Sequence, residues 1–132
     1  MAYIKFKPLT GIYEFFKKLD ASDLTEEELR FVVDDETIIM AFKAVRDICI
    51  FTDKRLIIID YKGWRNWRQR VISVQYNSIS SYSLNVRMID TTIELTTDSS
   101  YKLALNFSKP IPLDDMFIMY QFLTKCILKE TK

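Results

Sequence analysis

The stretch Val45-Arg46-Asp47-Ile48-Cys49-Ile50-Phe51-Thr52-Asp53-Lys54-Arg55-Leu56-Ile57-Ile58-Ile59-Asp60-Tyr61-Lys62-Gly63-Trp64 decides the fold of this 132-residue chain. Two apolar, β-branched runs flank the polar Thr52-Asp53-Lys54-Arg55, and Asp tolerates the left-handed backbone that tight reversals often need. The stretch therefore reads as a β-hairpin. Its strands are apolar on both faces: Ile48 and Ile50 alternate with Cys49 and Phe51, and Leu56 and Ile58 alternate with Ile57 and Ile59. An antiparallel sheet wetted on one side carries polar residues there. Something covers the outside of this hairpin, either the N-terminal part of the same chain or a second copy, and both can contribute.

Downstream of the hairpin, period-two patterns predict strands over 70–76, 79–86, 91–97 and 101–107, and one precedes it over 37–43, which makes seven with the hairpin. In the last two strands Ile93, Leu95, Leu103 and Leu105 alternate with polar or small residues, so one face is wet. Ser108-Lys109-Pro110-Ile111-Pro112 cannot extend a ladder because proline lacks the donor. A helix follows, with Asp114 and Asp115 in its first turn, Lys125 and Lys129 near its end, and Leu113, Met116, Phe117, Tyr120, Leu123 and Ile127 along one stripe.

Upstream, residues 1–9 alternate loosely as far as Pro8, and Ile12, Phe15, Phe16 and Leu19 then fall at helical spacing. Thr25-Glu26-Glu27-Glu28 is a capping-box pattern that opens a second helix ending near Asp34-Asp35. The expectation is an α+β, mainly β chain: a seven-stranded antiparallel barrel or sandwich capped by a C-terminal helix. Residues 1–35 form a short helical segment packed on it, and residues 36–132 form the β domain.

Composition narrows the function classes. With 48% hydrophobic residues the chain can bury one sizeable core, and its formal net charge of +1 gives no single-sign field that would draw nucleic acid. Charge is nevertheless segregated: residues 20–36 hold eight acids and one base, and residues 43–70 hold eight bases and three acids. Cys49 and Cys126 sit inside expected elements and read as core thiols, not as a disulfide framework. No apolar run suggests a signal peptide or a membrane span, so the expected location is the cytoplasm.

The residues Val45-Arg46-Asp47, then Phe51-Thr52-Asp53-Lys54-Arg55-Leu56-Ile57, then Asp60 and Gly63, resemble the motif of the bacterial pleckstrin-homology-like domain family. Ser73-Val74-Gln75-Tyr76-Asn77-Ser78-Ile79 is similar to that family's next signature, with Gln75 where a proline is usual. The resemblance covers residues from about 36 to the C-terminal helix, and the acidic stretch 24–33 matches the family's helical prefix. It implies a pleckstrin-homology-like barrel, ring-like homo-oligomers and no assigned activity. The segment 85–90 departs from the family by lacking a glycine turn.

Catalytic chemistry is sparse. A chain with no histidine lacks the commonest general base and the usual triads, and two glycines cannot build a phosphate-cradling loop. The pairs Asp34-Asp35 and Asp114-Asp115 sit at helix ends, where capping accounts for them. No catalytic, cofactor or metal residues are assigned, and the chain is read as non-enzymatic. The candidate ligand or interface loop is Lys62, Trp64, Arg65, Trp67, Arg68 and Arg70, where arginine forks alternate with tryptophans. Such a loop suits a subunit contact first, an anionic lipid headgroup second and nucleic acid last. The second candidate surface is the hairpin itself, Ile48, Ile50, Phe51, Leu56, Ile57, Ile58 and Ile59, as the place where the domain meets its own N-terminal segment or a neighbour. The expected partner is another copy of the chain, with a different protein or an anionic lipid as alternatives.

Overall fold

The computed structural model describes residues 10–62 and 68–129. In chain order they form β1 (Thr10–Phe15), β2 (Lys17–Leu19), the short helix α1 (Glu26–Leu29), β3 (Ile38–Lys43), β4 (Ile48–Thr52), β5 (Arg55–Lys62), β6 (Arg68–Gln75), β7 (Ile79–Val86), β8 (Asp90–Thr97), β9 (Lys102–Ser108) and α2 (Leu113–Leu128). Two sheets face each other, one ordered β1-β9-β8-β7 and the other β2-β3-β4-β5-β6. Among the described residues the arrangement is a sandwich and not a closed barrel. The seven strands expected from 37 onward, and the terminal helix, are all present within a residue or two of their expected ends.

Residues 10–19 depart from expectation. The helix expected over 11–19 is two strands, one in each sheet: β1 pairs parallel to β9, with Phe15 opposite Phe107, and β2 pairs antiparallel to β3. Nine strands therefore replace seven among the described residues, and one pairing is parallel. The spacing of Ile12, Phe15, Phe16 and Leu19 fits a helix, but burial alternates with period two. Tyr13 and Phe15 point inward at 6% and 0% exposure, whereas Ile12 is 71% exposed. The pairing partner, β9, supplies backbone hydrogen bonds and a core for Tyr13 and Phe15, and this distant contact overrides the local pattern.

Gly11 makes that pairing possible. A Cβ there would lie 2.9 Å from the Tyr101 hydroxyl and 3.0 Å from a Leu103 methyl. The Asp98-Ser99-Ser100 turn between β8 and β9 places Ser100 in the left-handed region at φ 69°.

The central core lies between the sheets. Phe15, Phe42, Phe51 and Phe107 are buried there, with Phe42 edge-on to Phe107 at 4.9 Å between ring centres. Helix α2 closes one side of the gap with Met116, Met119 and Leu123. Leu113 and Phe117, expected on that inward stripe, are exposed instead. The inward face is set by the i, i+3, i+7 row of Met116, Met119 and Leu123, which leaves Phe117 on the flank.

A second cluster explains the doubly apolar hairpin. Ile48, Ile50, Ile57 and Ile59 form the outer row of β4 and β5, and Leu19, Leu24, Phe31 and Val32 cover them. All four isoleucines are 0–2% exposed within the single chain. Burying each contributes about 1.5–3 kcal/mol. Helix α1, in the segment that carries this cover, has only four residues and stops short of Asp34-Asp35, where the sequence places its end. Thr25 Oγ1 accepts from the Glu28 N–H at 3.2 Å, and Glu28 Oε1 accepts from the Thr25 N–H at 2.8 Å, so the capping box is present.

Candidate functional site

The two sequence stretches that carried the family resemblance meet in space. Thr52 ends β4, Arg55 begins β5, Ser73 lies on β6, and Tyr76 starts the 3-10 turn Tyr76–Ser78. The Arg55 guanidinium forks onto Glu36, with Nε donating to Oε2 at 2.8 Å and Nη2 to Oε1 at 3.1 Å. Its remaining donors reach Ser73 Oγ at 2.8 Å and the Phe31 carbonyl at 2.6 Å. Thr52 Oγ1 donates to Glu36 Oε2 at 2.7 Å and accepts from the Lys54 and Arg55 N–H groups. Tyr76 Oη closes the turn from the far side, donating to the Thr52 carbonyl at 2.7 Å.

Every polar group in this cluster has a partner inside the protein. The bidentate Arg55 pair holds the Glu36 carboxyl down at about 2, against the opposing effect of burial. Thr52 is fully buried and Glu36 is 8% exposed, so little of the cluster is offered to a ligand. The motif that names the family is thus a clamp. It ties the hairpin turn to β6 and to the segment that covers the outer isoleucines.

The β5–β6 loop can be placed at its two ends. Lys62 and Arg68 are opposite one another where the strands part, and Arg70 lies opposite Asp60. Trp64, Arg65 and Trp67 lie outside the described residues. Asp60 is 4% exposed and accepts from Tyr13 Oη at 2.8 Å. Lys62 and Arg70 approach the same carboxylate at 3.8 and 3.5 Å. Burial, and then Asp60, push the Tyr13 phenol up to about 12. Two of the three described cations of this loop are therefore partly committed to an internal acid. Sequence reasoning placed Asp60 in the family motif but gave it no partners, though an aspartate closing the run Ile57-Ile58-Ile59 was a signal that a buried carboxylate needed them.

The hairpin candidates have a different fate. Ile48, Ile50, Phe51, Leu56, Ile57, Ile58 and Ile59 are all buried within the one chain, Phe51, Leu56 and Ile58 in the central core and the other four under the N-terminal cover. They present no free surface. Free apolar surface lies elsewhere. Ile12 and Val45 are 71% and 80% exposed and, with Phe16, border a recess of about 420 Å³ between β1 and the β3–β4 turn. Burial pushes the Cys49 thiol well up, which disfavours the nucleophilic thiolate. Among the described residues, no group of three or more Cys, Asp or Glu side chains could hold a metal ion.

Comparison with known proteins places this architecture. The model of the family described as "Bacterial PH domain" matches residues 9–126. The chain belongs to the bacterial PH domain family. The match includes the whole of β1, which is thus an integral strand of this PH domain. A similar protein is YjqA of Bacillus subtilis (strain 168), 34% identical over 95 residues, which is 72% of either chain. Among solved structures, a DUF1696 family protein with a pleckstrin-homology domain from Shewanella loihica PV-4 has a TM-score of 0.70 at 22% identity, covering 85% of this chain and 97% of that one. A PH-domain-containing bacterial protein from Exiguobacterium sibiricum 255-15 has a TM-score of 0.68 at 15% identity, covering 89% of this chain and 64% of the other. At these identities the structural likeness concerns the fold alone. No helix among the described residues is long and apolar enough to cross a membrane.

Proposed function

We propose that this bacterial PH domain is a non-enzymatic interaction domain that associates with copies of itself, and that the contact uses the surface around Ile12, Phe16 and Val45. The supporting observation is that three large apolar side chains stand at 71%, 45% and 80% exposure around one recess. Single exposed apolar residues are ordinary, but a cluster around a concavity gains from losing its water on association. Glu14 and Arg46 line the same recess. Asp47 lines it too, so the apolar centre is rimmed by charges of both signs, which suits a contact between copies of one surface. Among the described strands β1 is also the end strand of its sheet, so the patch sits at that sheet's edge.

The hairpin no longer argues for association, because its outer face is covered from within. Anionic lipid through the β5–β6 loop is the weaker reading, since Asp60 already draws on Lys62 and Arg70. Replacing Ile12 and Val45 together by lysine leaves the core untouched and is expected to give a 15.7 kDa monomer in light scattering where the unmodified chain is larger. A double variant with the same mass as the unmodified assembly removes this surface from the account. Co-sedimentation of the unmodified protein with anionic vesicles, weakened by salt, in the absence of self-association would transfer the function to lipid.

A further inference from the structure

Strand β7 ends the four-stranded sheet, and among the described strands it pairs only with β8. Sheet edges are normally guarded by charge, proline or extreme shortness, because a row of unpaired backbone groups invites another strand. The other three end strands are guarded in this way. β2 has three residues, two of them lysine, β6 carries Arg68 and Arg70, and β1 carries Glu14. β7 runs for eight residues with neither a charge nor a proline. Its one register shift lies between Ile79 and Ser81 and leaves 82–86 regular.

The register shows which backbone groups this edge presents. The Arg87 N–H donates to the Asp90 carbonyl at 2.8 Å and closes the β7–β8 turn. Bonded and non-bonded positions alternate along an antiparallel pair, so Ser83 and Asn85 direct their backbone groups to β8. The N–H and C=O groups of Tyr82, Leu84 and Val86 point to the free edge. Helix α2 stands beside it: Tyr82 Oη donates to Thr124 Oγ1 at 3.0 Å, and its ring lies 5.7 Å from that of Tyr120. Leu113, Phe117, Tyr120 and Thr124 share one row of this helix. The helix begins a few residues after Ser108, which lies opposite Asp90, and its Phe122 meets Tyr76 just before β7 starts. It therefore runs antiparallel to β7, and Leu113 and Phe117 flank the Leu84-to-Val86 part of the edge. Both are exposed, as is Val86.

We propose that the β7 edge docks an extended, uncharged segment of a partner protein, which adds to this sheet as a fifth strand. Its backbone bonds to Tyr82, Leu84 and Val86, and its alternate apolar side chains lie against Leu113 and Phe117. A charged side chain there would find no counter-charge on β7. A second copy's β7 does not meet this description, since its inward side chains, Tyr82 and Leu84, already pack against their own core. The contact is separate from the surface around Ile12, Phe16 and Val45, which belongs to the opposite end strand of the sheet, so either can fail without the other.

Titration of the intact chain with a blocked heptapeptide of alternating valine and threonine, read by amide exchange at single residues, tests this. The expected result is saturable binding with a Kd below ~1 mM. Exchange is expected to slow about tenfold at the Tyr82, Leu84 and Val86 amides and to stay unchanged at Ser83 and Asn85. Val86→Pro removes one edge donor and no bond to β8, and is expected to weaken the peptide about fivefold. Phe117→Ser, on the exposed flank of the helix, is expected to weaken it as well and stands even if the proline variant fails to fold. The proposal is overturned by no binding at ~1 mM, by slowing along β6 instead, or by unchanged affinity in either variant that folds. Protection of the edge amides that grows with protein concentration in the absence of peptide also overturns it, and assigns the edge to a second copy.

Discussion

Replacing Glu36 by glutamine tests the clamp at its centre. The substitution preserves shape and one acceptor oxygen but removes the charge that Arg55 grips from two nitrogens. Glu36 is held at about 2 in the folded protein, against 4.5 for a free glutamate. That difference corresponds to about 3 kcal/mol of stability at neutral pH. The side chain is 1% exposed, so solvent screening takes little from this figure. Because the folded value is depressed, the contribution is fully present above the unfolded value and is lost as pH falls towards the folded one. About 2 kcal/mol of it is gone by pH 3. Urea unfolding of both proteins at pH 7 and pH 3 reads this directly. The expected gap is about 3 kcal/mol at pH 7, closing to about 1 kcal/mol at pH 3. A gap that stays constant across this range, or one below about 1 kcal/mol at pH 7, refutes the electrostatic account of the motif.

Two further substitutions probe the strand that the sequence pattern concealed. Gly11→Ala pushes a methyl group against Tyr101, Leu103 and Tyr13 at 2.9–3.0 Å and is expected to lower the thermal midpoint, at a cost of about 1–3 kcal/mol; an unchanged midpoint shows that β1 does not lie this close to β9. Ser100→Gly relieves the left-handed backbone of the β8–β9 turn and is expected to raise the midpoint, with a gain of about 0.5–1 kcal/mol; a lowered midpoint contradicts the turn geometry.

From β3 to α2 the sequence was legible because each strand has an alternating or continuous apolar run closed by turn residues, and the helix follows two prolines. The need for a cover over Ile48, Ile50, Ile57 and Ile59 was legible too, since polar residues were missing from a face that would otherwise be wet. What covers them was not. Leu19, Leu24, Phe31 and Val32 precede the hairpin and share no single periodic pattern. Strand β1 was misread because four apolar residues in a short run fit a helix, and its partner β9 lies some ninety residues downstream. Glu36 was counted among the acids of a charged stretch, and only the folded chain brings it against Arg55. The loop cations were visible in the sequence, whereas Asp60 and Tyr13, which engage two of them, come from separate strands joined only by folding.

The claim that this domain works by meeting its own copies rests most directly on mass in solution. Light scattering of the unmodified protein at micromolar concentration is predicted to give a multiple of 15.7 kDa, falling to that value when Ile12 and Val45 are both lysine. A mass of 15.7 kDa for the unmodified protein under the same conditions would contradict it.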